Sequence, residues 1–184
     1  MTRLLTLFAI TAVLALTAAV AFAETGSVTI TGGSLTSDAD DVALAEVTLD
    51  GTDTTGTSTS DEWDITDARG TGAGYCVTID ATDWSDGSHT LDISESDEEF
   101  NITILDGGTT TVAGDDTNKP ASQVSTQTAI TTNPATLNIM SAGTDEGMGH
   151  YTYEPDFEQE VPAETYAGSY TTTITVTANS GACV

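Results

Sequence analysis

Carboxylates are the side chains in this sequence with the most evident capacity for chemistry, because they stand in clusters. The clusters are Asp38–Asp41, Asp61–Asp64, Asp80–Asp86, Glu95–Glu99 and Asp115–Asp116. Oxygen-rich loops of this kind can hold Ca²⁺, which takes about six to eight oxygen ligands. None of the clusters has the Asp-x-Asp-x-Asp-Gly spacing of an EF-hand loop, so solvated charge is the simpler interpretation. We expect no cofactor, and we keep stabilisation by Ca²⁺ or by high salt as the alternative.

Other groups that could catalyse a reaction do not converge on one motif. His89 and His150, the two histidines, stand in neither a Gly-x-Ser-x-Gly elbow nor a Cys/His signature. The run Gly70–Gly74 resembles a phosphate loop, but no helix is predicted after it and its surroundings are acidic, so a hairpin turn is the better interpretation. Arg69, just before this turn, is expected to pair with Asp67 or another nearby acid. Paired carboxylates of the glycosidase type are the enzymatic alternative, but the sequence predicts a protein that is not an enzyme.

The cysteines predict a disulfide. Cys76 and Cys183 are the two cysteines of the chain, and an even number in an exported protein favours a disulfide. A bond within one chain would close a loop of more than a hundred residues and contribute up to about 4–5 kcal/mol in the chain-entropy model. A bond between two chains is the alternative, because Cys183 is next to the last residue.

The first residues predict export. Arg3 precedes a mostly apolar run from Leu4 to Phe22, and Ala21-Phe22-Ala23 has the small-x-small pattern of a cleavage site. A membrane anchor is the alternative, because about twenty apolar residues can span a bilayer. No second apolar run follows, so we expect a signal peptide at 1–23 and a mature chain at 24–184 that is not an integral membrane protein. Its expected location is extracellular, as a secreted or cell-surface protein.

The charge of the chain limits its partners. Asp and Glu number 29 against three Lys and Arg, which gives a formal net charge of −26. Nucleic acids and anionic membranes are bound through clustered lysines and arginines, so neither is an expected partner. Such an acidic chain is self-repelling, and salt at physiological strength screens the repulsion beyond about 8–10 Å.

Thr, Val and Ile alternate along most of the sequence after residue 23, with almost no 3.6-residue periodicity, which is typical of strands. The predicted strands are Ser27–Thr31, Ala43–Leu49, Glu62–Thr66, Tyr75–Ala81, Thr90–Ile93, Phe100–Leu105, Thr109–Ala113, Ala135–Met140, Tyr151–Glu158 and Tyr170–Ala178. The polar stretch Asp116–Thr132 is expected to be a long loop. Many short strands with frequent turns predict an all-β protein, with a single Greek-key-like β-sandwich over 24–184.

Two segments of the sequence occur in the same order as two signature motifs of a known protein family. Asp67-Ala68-Arg69-Gly70 leads through small residues to Tyr75-Cys76-Val77. Further on, Pro162 precedes the turn Tyr166-Ala167-Gly168-Ser169-Tyr170, which leads to Val176-Thr177-Ala178. Together they resemble the two signatures of the WxL domain, a family of bacterial cell-surface proteins, in which each segment ends in Trp-x-Leu. Both signature tryptophans are replaced here, by Tyr75 and Val176.

The resemblance implies a WxL-like β-sandwich that attaches non-covalently to peptidoglycan or assembles with envelope proteins. Cell-wall glycan and envelope proteins are therefore the expected partners, and Tyr75, Tyr166 and Tyr170, at or beside the signatures, are the residues expected to bind them. Packing in the core is the simpler role for the aromatic residues, and a platform for sugar rings or for a partner is the alternative. The alternative function is a self-assembling subunit of a surface layer or filament, in which a strand edge or the segment 24–37 adds a strand to a neighbour.

Overall fold

The structure is a computed structural model that describes residues 27–59, 61–131 and 136–184. The signal peptide predicted at 1–23 lies outside these residues. The chain divides into two compact units, Met1–Ile30 and Thr31–Val184. In the first unit, the described residues 27–30 have no regular secondary structure. Among the described residues, there is no helix with the length and apolar character needed to cross a membrane.

The second unit is built from β-strands, fourteen of them in the described part. They are β1 (Leu35–Asp38), β2 (Thr54–Thr59), β3 (Trp63–Asp67), β4 (Tyr75–Ala81), β5 (Trp84–Ser85), β6 (Thr90–Leu91), β7 (Phe100–Thr103), β8 (Thr110–Gly114), β9 (Ala121–Ser122), β10 (Thr128–Ile130), β11 (Leu137–Ala142), β12 (Gly149–Tyr153), β13 (Asp156–Val161) and β14 (Ile174–Ser180).

The strands form three four-stranded antiparallel sheets and one small hairpin. Sheet A has the order β1-β3-β12-β8, sheet B the order β10-β7-β13-β2, and sheet C the order β14-β4-β11-β9, while β5 pairs with β6. Most neighbours in the sheets are distant in sequence, so the chain crosses repeatedly from one sheet to another. The prediction of an all-β sandwich is confirmed.

The core follows from alternation along the strands. Trp63, Ile65 and Asp67 on β3 are buried, whereas the residues between them are only partly buried. The aromatic rings of the core come from different sheets: Trp63 of sheet A lies 5.6 Å from Phe157 of sheet B, measured between ring centroids. A period of two therefore directs side chains of all three sheets into one shared apolar interior.

The structure differs from the sequence prediction at several segments, where hydrogen bonding to a neighbouring strand determines whether the segment is itself a strand. The residues predicted as the strand Ala43–Leu49 form no ladder, although the backbone N–H of Ala45 donates to Thr57 O at 2.9 Å. The predicted strand Tyr151–Glu158 is two strands, β12 and β13, divided at Pro155, which has no N–H to continue a ladder. The stretch 116–132, predicted as a loop, contains the short strands β9 and β10.

Segment Val42–Leu49, here called the strap, lies against β2. An added Cβ at Gly56 of β2 would be 3.1 Å from Val47 Cγ2 and 3.5 Å from Ala45 O. Val42, Leu44, Val47 and Leu49 are partly buried, and the residues between them are exposed. The alternation that suggested a strand is therefore real, but the strap covers the edge of sheet B instead of extending it.

Candidate functional site

The turn of the second signature, Pro162–Tyr170, is here called the corner. It joins β13 to β14. The backbone N–H of Thr165 donates to Pro162 O at 3.1 Å, and the hydroxyl of Tyr170 donates to Tyr166 O at 3.0 Å. Just after the corner, Thr171 and Ser85 exchange two backbone hydrogen bonds of 2.9 and 3.0 Å. These contacts fix the corner to the β5–β6 hairpin.

Tyr166 forms an exposed aromatic platform together with His89. The Tyr166 side chain is 65% exposed, and its ring stacks on the imidazole with 3.9 Å between centroids and 12° between planes. His89 lies in the turn of the β5–β6 hairpin, where its Nδ1 is 3.0 Å from Asp86 Oδ2. The same carboxylate accepts the backbone N–H groups of Ser88 and His89. Hydrogen bonding, from the His89 side chain first, lowers the pKa of Asp86 to about 2.

Close contacts explain why the central residue of the Tyr-Ala-Gly-Ser-Tyr turn, Gly168, has no side chain. A Cβ at Gly168 would lie 2.7 Å from Oδ2 and 3.2 Å from Cβ of Asp86. Because real Cβ atoms do not approach other atoms below about 3 Å, a side chain at this position would displace the Asp86 carboxylate, which bonds to His89 and to the N–H groups of the hairpin turn. Gly168 therefore permits the close packing that brings Tyr166 over His89.

A groove of about 770 Å³ runs beside the platform. The groove is lined by the strap, by residues 165–170 of the corner, and by Trp84 and Leu91 of the hairpin. Three of the lining residues carry buried polar atoms that have no hydrogen-bond partner in the described part of the chain; these are Trp84 Nε1, Gln159 Oε1 and Thr165 Oγ1. An apolar groove with a few unsatisfied donors and acceptors suits a neutral, hydroxyl- or amide-bearing ligand.

The first signature forms a turn held by Arg69. Its guanidinium donates to both carboxylate oxygens of Asp67, with Nε–Oδ1 2.9 Å and Nη2–Oδ2 2.8 Å. The same group donates to Gly74 O at 2.7 Å and to Ser180 Oγ at 2.6 Å. The Asp67 side chain is only 1% exposed, and the hydrogen bond from Arg69 lowers the pKa of this carboxyl. The pairing expected between Arg69 and Asp67 is present in the structure.

The two signatures meet in sheet C. Strand β4, which follows the first signature, pairs with β14, which follows the second, over seven residues without a shift in register. Val77 faces Ala178 and Tyr75 faces Ser180 across this ladder. The positions where the family has its tryptophans therefore lie in neighbouring strands.

Tyr75 occupies the core and not the surface. Its side chain is 0% exposed, and burial raises the pKa of its hydroxyl above the ordinary value. A fully buried ring makes no direct contact with a wall polymer in this conformation, and the partner-binding role expected for Tyr75 stays a prediction. Tyr166 and Tyr170 are brought together at the groove, with Tyr170 partly buried.

Cys76 and Cys183 are joined within the chain, with an S–S distance of 2.04 Å and a sequence separation of 107 residues. Cys76 is on β4, and the bond fastens the segment after β14 to sheet C. The backbone N–H of Cys183 also donates to Ser141 Oγ of β11 at 3.2 Å.

Many of the carboxylates at turns accept backbone N–H groups. Asp50, Asp92 and Asp115 each bond to the N–H two residues further on, at 2.8–3.0 Å. Asx turns of this kind explain part of the acidic content without any ligand. Within the described ranges, no group of three or more His, Cys, Asp or Glu side chains could hold a metal ion.

The sequence predicted Tyr166 and Tyr170 but did not identify the residues that support them. Trp84, Asp86 and His89 lie in a short hairpin about eighty residues earlier in the chain. The Asp86-Gly87 pair in that hairpin was visible as a turn signal, but its contact with the corner depends on tertiary packing.

The sequence model of the family described as WxL domain surface cell wall-binding matches residues 14–180. No curated protein and no solved structure matches the chain. The matched range contains both signatures, the Arg69 turn and the corner. The family is a surface domain that binds the cell wall, and it is not an enzyme family. With nearly its whole length matched, the chain belongs to the WxL domain family.

Proposed function

We propose that this surface domain attaches non-covalently to cell-wall glycan through the platform and the adjoining groove. The observation that carries the proposal is the stack on His89 of Tyr166, a residue that lines the groove and belongs to the second signature of a cell wall-binding family. An aromatic face that is both exposed and fixed in orientation is what a sugar ring needs for stacking.

The polar atoms of the groove support a glycan over a charged ligand. The Thr165 hydroxyl can donate and accept a hydrogen bond, and Gln159 Oε1 is an acceptor. Sugar hydroxyls and N-acetyl groups both donate and accept, so one oligosaccharide could satisfy both atoms. Glu46 is the charged residue among those that line the groove, and no Lys or Arg is among them, so a strongly anionic ligand would be repelled.

Attachment to an envelope protein is the second candidate for the partner. Tyr is enriched where proteins dock, and the platform would serve such a partner equally well. A soluble glycan competitor separates the two candidates, because it displaces the domain from wall glycan and leaves a complex with a protein intact.

Co-sedimentation with purified, protein-free peptidoglycan tests the proposal. The chain from Glu24 to Val184 is mixed with the insoluble polymer at moderate salt, with a divalent cation present to screen its charge, and soluble peptidoglycan fragments serve as competitor. We expect saturable retention that the fragments reverse. No retention above that of an equally acidic control protein would remove the proposal.

A further inference from the structure

A second cavity lies where two sheet edges meet. Strand β1 is the edge of sheet A and β14 is the edge of sheet C. The two strands lie next to each other, but no ladder joins them in the part of the chain that the structure describes. At the end of β14, Arg69, which follows the neighbouring strand β3 of sheet A, donates to Ser180 Oγ.

Towards the start of β14 a gap of about 690 Å³ opens between them. The gap is lined by Ser37 and residues 39–42, by Tyr170–Thr172 and Ile174–Val176, and by Trp63 and Trp84. These two tryptophans are 1% and 8% exposed. Neither indole N–H has a hydrogen-bond partner among the described residues. Two buried donors without acceptors at one gap indicate a ligand that brings acceptors.

The edge of β14 is suited to receive another strand. It pairs with β4 over seven residues without a bulge, and no charged residue occurs between Thr165 and Val184. Sheet edges that avoid strand addition usually carry charges, prolines or bulges. A strand that pairs with one edge of a sheet leaves alternate carbonyls unpaired on its far side, so an added strand brings hydrogen-bond acceptors to the gap.

The chain itself contains an uncharged, partly apolar segment that could pair with the edge of β14. Ser27–Thr31 reads Ser-Val-Thr-Ile-Thr, with its two apolar residues on one face if extended. Val28 is 83% exposed and Ile30 is 88% exposed. The segment has no charge, so Asp40 and Asp41 beside the gap would not repel it.

We propose that Ser27–Thr31 of a second copy of this chain adds as a strand along the start of β14 and places Val28 and Ile30 in the gap over Trp63 and Trp84. Because every copy has both the segment and the gap, the contact is head to tail and does not close on itself unless the geometry forms a ring. The proposal does not depend on glycan binding by the platform.

Sedimentation velocity of the chain from Glu24 to Val184, at about 0.15 M salt to screen its charge and over a range of protein concentrations, tests the proposal. Wild type should form dimers and larger species as concentration rises. The variant V28D/I30D should remain monomeric, and L105D, which changes another exposed apolar residue, should behave like wild type. V176W should also be monomeric, because it fills the gap with the residue that the family signature has there. A monomeric wild type, or association of V28D/I30D equal to wild type, would overturn the proposal.

A peptide experiment tests the same contact without relying on assembly. A synthetic peptide of residues 25–34 is titrated into V28D/I30D while tryptophan emission is recorded, since the chain has two tryptophans and both line the gap. We expect a saturable change in emission, and none with a peptide that carries the V28D and I30D changes. An emission unaffected by the unmodified peptide would contradict the proposed contact.

Discussion

The guanidinium of Arg69 bonds to Ser180 Oγ at 2.6 Å although 111 residues separate them in sequence. It therefore ties the turn of the first signature to the end of the strand that follows the second. With Asp67 and Gly74 as its other partners, Arg69 connects β3, β4 and β14. The Asp-x-Arg-Gly motif thus has a structural role in holding the signatures together.

Replacing Arg69 should destabilise the fold strongly. R69A leaves the Asp67 carboxylate buried without its guanidinium, and breaking a buried pair in this way costs about 3–5 kcal/mol. Urea unfolding measures the difference in the free energy of unfolding. R69K should lose less stability than R69A, since Lys keeps the positive charge but lacks the two-pronged hydrogen-bonding geometry of the guanidinium. The loss of stability in D67N/R69A should be smaller than the sum of the losses in the two single variants. A loss below about 0.5 kcal/mol in R69A, the range of ordinary surface substitutions, would show that the pair is not structural.

The disulfide should contribute more than any single hydrogen bond. Cys76 and Cys183 are 107 residues apart, and the chain-entropy model gives about 4–5 kcal/mol for a loop of this size. C76S/C183S should unfold at a lower urea concentration than wild type, and reduced, alkylated wild type should match it. A mass measurement without reductant should show one chain with one bond. A disulfide-linked dimer in that measurement would favour the intermolecular alternative.

Asp86 should make stability depend on pH in a defined window. Its pKa in the folded protein is about 2, below the ordinary Asp value of about 3.9, so the folded state binds fewer protons than the unfolded state between these values. Its stabilising contribution is therefore present above about pH 4 and is lost as pH falls towards 2. The stability difference between wild type and D86N should shrink over that window, while D106N, in an exposed turn, serves as control. A difference that stays constant from pH 6 to about 2 would contradict this.

Burial has the opposite effect at Glu98 and Glu160. It raises the pKa of both carboxyls, so protonation of these two groups stabilises the folded state as pH falls. The D86N comparison isolates the Asp86 contribution from theirs, because both proteins contain the same glutamates.

Salt should stabilise the fold by screening, and Ca²⁺ should add nothing specific. The net charge of −26 makes self-repulsion large, whereas the described residues offer no cluster that could hold a metal ion. Melting temperature should rise equally in NaCl and CaCl₂ of the same ionic strength. A larger rise in CaCl₂, reversed by chelator, would instead support the calcium site that the acidic clusters suggested.

Local patterns predicted the strands whose alternation is strong, and missed those that depend on partners. Tyr75–Ala81 was predicted with its observed bounds because five of its seven residues are apolar or aromatic and fill the core. Strand β2, rich in Thr, Gly and Ser, was not predicted, since its place comes from the ladder with β13. At the site, Tyr166 could be found from the signature. Its partner His89 could not, because nothing local to either residue encodes their contact.

Retention of single-site variants on purified peptidoglycan tests the central claim most directly. Y166A removes the exposed face of the platform and should weaken binding by roughly fivefold, as expected for a stacking contact of about 1 kcal/mol, with unfolding unchanged. Y166F keeps the ring and should bind like wild type, as should L105A, which removes an exposed apolar side chain elsewhere. Equal retention of Y166A and wild type would contradict wall attachment through this surface.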